Sequence, residues 1–141
     1  MKLLLLVILT FIAINIHAMD PFRMDRPSFD YVCALLEADC RGIEAPNVVV
    51  TRSIDLKSDD GYRIYGLYIQ GEPNVYIHPD TKDFGATVLH ELVHYINHEA
   101  KLGYSRCEGE AKARDLAGHP WGNKEKERYG CTRFPIYKII W

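Results

Sequence analysis

A chain of 141 residues, 48% hydrophobic and 26% charged, has enough apolar material for a packed core, which excludes a disordered protein. Its length accommodates one domain, not two. A formal charge of −2 without a basic stripe argues against nucleic acid as a partner.

The opening stretch, MKLLLLVILTFIAINIHA, sets one positive charge, Lys2, before an apolar run from Leu3 to Ile14, and Ala18 closes a short polar stretch. This is the layout of a secretory signal peptide cleaved after Ala18. The run falls short of the ~20 residues a spanning helix needs, which disfavours an uncleaved anchor. The expected organisation is a signal peptide at 1–18 and a single domain at 19–141. The mature chain is then secreted or periplasmic, monomeric and without stable membrane association. Losing Lys2 alone takes its formal charge from −2 to −3.

Residues 20–27 read as a mobile arm. Ser28 is a candidate N-cap for a helix through about Cys40, with Phe29, Val32, Cys33 and Leu36 at helical spacing, and Arg41-Gly42 ends it. NVVVTRSIDL is a β-branched run, and KSDDG at 57–61 a turn. YRIYGLYIQ and NVYIH follow as two strands joined by a tight Gly-Glu-Pro-Asn hairpin. Asp80 and Asp83 form a capping signature for a helix running to about Glu99 or Lys101 and stopped at Gly103. A further helix fits Ser105 to Ala117, ended by Gly118 and Pro120. NKEKERYG then reads as a charged turn, and TRFPIYKIIW as a short strand or an apolar strap.

The four cysteines, Cys33, Cys40, Cys107 and Cys131, all follow Ala18. An even number in an exported chain implies two disulfides. Three pairings are open, and the inclination is to tie one or both of Cys33 and Cys40 to the C-terminal half. The expected fold class is α+β: an antiparallel three-stranded sheet packed against two helices and stapled by disulfides.

Chemistry concentrates in TVLHELVHY, residues 87–95. His90 and His94 lie four apart, about 40° around a helix and 6 Å along it, so both imidazoles face one point. From there they can reach a single zinc ion at ~2.0–2.1 Å. Glu91, about 100° from His90, is placed as a general base beside the ion rather than as a ligand. With six histidines and nine glutamates in the chain, His-Glu-x-x-His arises by chance at about one or two per cent. The competing reading is two histidines on an ordinary amphipathic face. A catalytic site needs a third protein ligand. Asn97 and Ala100 stand where the extended motif needs glycine and histidine, and His98 is too far along the helix to share the ion.

HELVH followed on a second helix by Glu-x-x-Ala resembles the gluzincin group of zinc metallopeptidases, and CEGEA is similar to the small ImmA/IrrE-type members. The resemblance spans roughly residues 74–118 and implies a small zincin-like domain with one Zn2+. Its third ligand would be a glutamate whose +3 neighbour is small enough for the helices to pack closely. Glu108 with Ala111 is favoured; Glu110 with Ala113 also fits. The chain departs from the pattern four residues after the ligand, where Lys112 or Arg114 replaces the usual Asp or Asn. Asp115 is then the candidate to orient an imidazole. The resemblance also implies an edge strand that pairs with extended substrate, a role NVYIH is placed to fill if it is not internal to the sheet. Tyr104, His119, Arg114 and Tyr129 are candidates to stabilise an oxyanion, Tyr104 and His119 foremost.

The leading expectation is an exported zinc metallopeptidase acting on a peptide or protein substrate; a separate reading is metal-dependent hydrolysis of a less ordinary bond, such as a cell-wall peptide cross-link. The alternative is a disulfide-stabilised binding or inhibitory module on a zincin-like scaffold, without catalysis.

Overall fold

The computed structural model describes residues 20–52 and 64–131. The signal-peptide reading of 1–18, the turn at 57–61, Tyr62 and the tail TRFPIYKIIW lie outside the described residues. The elements in chain order are β1 (Phe22–Arg23), α1 (Arg26–Leu35), β2 (Asn47–Val50), β3 (Gly66–Tyr68), β4 (Asn74–Ile77), α2 (Phe84–Glu99), α3 (Arg106–Ala117) and α4 (Asn123–Arg128). No described helix is long and apolar enough to cross a membrane.

The chain is α+β, but its sheet has four strands in mixed orientation, ordered β1-β2-β4-β3, not three antiparallel ones. β3 and β4 form the expected antiparallel hairpin, Leu67 opposite Tyr76. The chain enters that hairpin from the far side, so β4 and not β3 lies beside β2. β2 and β4 therefore run parallel, Val48 level with Val75 and Val50 with Ile77. Val48, Val75 and Ile77 are at most 1% exposed, as the central strands of a covered sheet should be. NVYIH is thus internal, and among the described residues the outermost strand on this side is β3. The expected mobile arm also supplies structure: Phe22 and Arg23 pair antiparallel with Val48 and Asn47.

α1 begins three residues earlier than its sequence suggests. Asp25, not Ser28, is the N-cap: its carboxylate accepts the Ser28 N–H at 2.9 Å, and Pro27 follows where a missing donor costs nothing. Phe29, Val32, Cys33 and Leu36 form its buried side. The helix stops at Leu35, and the chain doubles back through Glu37, φ 54°, to bring Cys40 against Cys33. The disulfides are Cys33–Cys40 and Cys107–Cys131, so neither N-terminal cysteine is tied to the C-terminal half. The earlier helix end makes the local pairing possible. Two such bridges fit an oxidising compartment.

α2 lies across the sheet. Asp83 caps it by accepting the Ala86 N–H at 3.0 Å, and Phe84, Val88, Leu92, Val93, Tyr95 and Ile96 join the buried core. Its polar side faces α3, which starts on Ser105 and ends at Gly118, φ 70°, a left-handed turn where glycine avoids the Cβ clash. The stretch expected as a charged turn forms the one-and-a-half-turn α4, which Cys131 ties back to Cys107 in the first turn of α3.

Candidate metal centre

Three side chains meet between α2 and α3. His90 Nε2 and His94 Nε2 lie 3.2 and 3.1 Å from the same oxygen, Glu110 Oε1. The imidazole centroids are 5.1 Å apart. The sites are shielded unequally: the Glu110 side chain is 7% exposed, His90 11% and His94 25%, so the cluster opens to solvent at His94. One ligand atom from each of the three falls within 4.8 Å of the others, so the group could hold one metal ion. Tetrahedral bonds of ~2.0–2.1 Å put neighbouring ligand atoms ~3.3–3.4 Å apart, close to the observed spacing to the carboxylate. Two nitrogens and a carboxylate oxygen are also a donor set that catalytic zinc accepts.

The favoured carboxylate, Glu108, does not take part. It sits at the third position of α3, exposed, and closes a capping box: its backbone N–H bonds Ser105 Oγ at 3.1 Å and its carboxylate accepts the Ser105 N–H at 3.0 Å. Glu110, about 200° further round the helix, faces the histidines instead. Its +3 neighbour Ala113 is 0% exposed in the helix–helix contact. Gly109 faces His94 across the same contact, where an added Cβ would stand at an ordinary 3.7 Å from His94 Nδ1. Asp115 is exposed and does not orient an imidazole. Two other residues touch the cluster from behind. Arg114 Nε donates to Glu110 Oε2 at 3.0 Å, and its guanidinium stacks over Trp121 and Tyr129 at 5.7 and 5.8 Å. His119 Nδ1 lies 3.3 Å from His90 Nδ1. Tyr104, by contrast, packs on the core at the α2–α3 turn, its N–H held by Asn97 Oδ1 at 3.0 Å.

Glu91 is buried at 8% exposure on the side of α2 that faces β3. A Cβ on Gly66 would meet Glu91 Oε1 at 2.6 Å, so the strand backbone rests directly on the carboxylate, and the Tyr68 backbone N–H bonds to it. His98, too far along α2 to join the cluster, instead bonds Tyr68 OH at 3.0 Å through Nδ1 and helps seat β3 on the helix.

The electrostatics separate the two carboxyls. Burial pushes Glu91 up from the ordinary carboxylate range; nearby His90 and His94 offset this only in part, and Glu110 adds to it. Burial acts on Glu110 in the same direction, but hydrogen bonds and charge from His90 and His94 outweigh it and hold that carboxyl well below the usual range. His94 is raised: burial opposes its charge, and the Glu110 hydrogen bond with the Glu91 and Glu110 charges prevails. Burial lowers His119, as do the charges on His90 and Arg114. Two carboxyls with opposed shifts in one site are the arrangement expected when one ligates and the other moves protons.

Beside His94 the surface opens into a cavity of about 390 Å3 lined by Tyr68, Gln70, Asn97, His98, Lys101 and Gly103. No family model matches the chain, and neither a curated protein nor a solved structure matches it.

Proposed function

We propose that the chain is an exported, gluzincin-like zinc metallopeptidase that hydrolyses peptide bonds. The observation that carries this reading is the convergence of His90 Nε2 and His94 Nε2 on Glu110 Oε1, with Glu91 buried one residue from His90 and outside the ligand set. A purely structural site of two histidines and a glutamate has no use for a fourth, buried carboxyl with a raised pKa. His90, His94 and Glu110 would hold the ion. Zinc supplies, when bound, a Lewis acid that polarises a carbonyl and lowers the pKa of water.

The remaining work falls to this chain's own groups. Glu91 takes a proton from the attacking water and delivers it to the leaving amine. Its raised pKa suits both halves, because a carboxyl titrating nearer neutrality accepts and releases a proton at comparable cost. The Tyr68 N–H and the Gly66 backbone fix that carboxyl from the β3 side. Among the described residues β3 pairs only with β4, so its outer edge is open to an extended peptide lying over the site. The cavity beside His94 gives such a peptide room for a side chain. The two disulfides support export.

The test is hydrolysis of a mixed peptide library by the zinc-loaded full chain and by Glu91→Gln, followed by mass spectrometry. Cleavage by wild type and none by the variant, with zinc retained in both, supports the assignment. Zinc retained in both and cleavage by neither would favour the non-catalytic binding module.

A further inference from the structure

A zinc-bound histidine must be neutral at its free nitrogen and carry a hydrogen there, and that N–H almost always donates to a fixed acceptor. For His90 the ligating atom would be Nε2, since it is the nitrogen that faces Glu110 Oε1, the oxygen His94 Nε2 also reaches. Nδ1 must therefore be the donor. The group facing it is neither carboxylate nor carbonyl but a third imidazole, His119, Nδ1 to Nδ1 at 3.3 Å, with ring centroids 5.4 Å apart.

The backbone holds His119 in that place. Gly118 turns left-handed at the end of α3, and the His119 N–H then returns to the Arg114 carbonyl at 2.9 Å. On the other side, Arg114 Nη1 donates to the Pro120 carbonyl at 3.0 Å. The same guanidinium holds Glu110 Oε2 through Nε, which leaves Oε1 alone to face the two imidazoles. One side chain thus links the seat of His119 to the pose of the third ligand.

We propose that His119 is a positioning residue that sets the tautomer of His90 by accepting its Nδ1–H, with Arg114 holding both His119 and Glu110. The inference rests on the metallopeptidase reading for the identity of the ion. On this account His119 carries its own hydrogen on Nε2. The Asp or Asn expected four residues after the ligand is replaced by Arg114, and the orienting task passes to a residue beyond the helix.

The test is zinc affinity of the full chain measured by competition with a chromophoric chelator, for wild type, His119→Leu and His119→Gln. Leu has no acceptor and should weaken zinc about 10–100-fold. Gln offers an amide oxygen and should stay close to wild type. Nitrogen-detected NMR of the zinc-loaded wild type should show His90 protonated at Nδ1 and His119 at Nε2, a readout independent of whether His119→Leu folds. Unchanged affinity in His119→Leu, equal loss in Leu and Gln, or a hydrogen on His119 Nδ1 would each overturn the proposal. Failure of wild type to bind zinc would remove the metallopeptidase reading and this inference with it, whereas zinc binding indifferent to His119 removes this inference alone.

Discussion

Gly66→Ala is a one-carbon change that separates the two halves of the site. Gly66 does not need a left-handed backbone, so its constraint is space alone. The added Cβ would lie 2.6 Å from Glu91 Oε1, 2.8 Å from Glu91 Cγ and 2.8 Å from Thr87 Cγ2. Oε1 could swing aside, but Cγ cannot move without the whole side chain, and Thr87 is β-branched and buried on α2. Either β3 lifts from α2 or Glu91 leaves its seat. Overpacking of this kind costs about 1–3 kcal/mol. For a domain of this size that lowers Tm by roughly 3–15 °C, scaling from the entropy of unfolding per residue. The atoms nearest that Cβ belong to Glu91 and Thr87 and not to His90, His94 or Glu110, so zinc affinity should be nearly unchanged while hydrolysis falls with the displaced base. Thermal unfolding, chelator competition and peptide cleavage measure the three quantities on one preparation. A variant as stable and as active as wild type would refute the close seating of Glu91 beneath β3.

Other outcomes follow from the same structure. Glu108→Ala removes the carboxylate half of the Ser105 capping box and should cost about 0.3–1.5 kcal/mol in chemical denaturation while leaving zinc affinity intact. Replacing Cys107 and Cys131 with alanine opens the longer of the two disulfide loops and should cost about 3.5 kcal/mol in the chain-entropy picture, read in the same assay. In chelator-treated protein, the raised pKa of His94 contributes stability that is full below pH 6.5 and is lost as pH rises through its folded value. The lowered pKa of Glu110 contributes stability present above pH 4.5 and lost as pH falls through its folded value. Glu91, raised by burial, also disfavours the folded state as pH climbs above 4.5. A pH series of thermal unfolding should therefore show this chelator-treated chain losing stability as pH rises above 6.5, and Glu91→Gln, which removes one of the charges that raise His94, should flatten that loss.

The parts legible in the sequence are those governed by local rules. Helix α2 shows in the apolar spacing of Val88, Leu92, Val93 and Ile96 and in the Asp83 cap, and α3 in Ser105 and Gly118. The sheet order is not local. Whether β3 or β4 lies beside β2 depends on the route of the connection, which alternation of side chains does not encode. The Cys33–Cys40 bridge depended on α1 stopping at Leu35, a boundary that helical periodicity alone places too late. The third member of the cluster could have been read more sharply. Ser105-x-x-Glu108 is itself a capping box, which engages Glu108 at the helix start and leaves Glu110 for the histidines. Glu110 and Arg114 at i,i+4 were a second signal, since that spacing supports an ion pair. His119 carried no comparable mark: only the turn at Gly118 brings it back over His90.

The central claim is that His90, His94 and Glu110 hold one zinc ion. Elemental analysis of the purified full chain, alongside Glu110→Gln and Glu108→Gln, tests it most directly. The account predicts one zinc per chain in wild type and in Glu108→Gln, and substoichiometric zinc in Glu110→Gln. Wild type without stoichiometric metal, or zinc lost from Glu108→Gln and kept by Glu110→Gln, would contradict it.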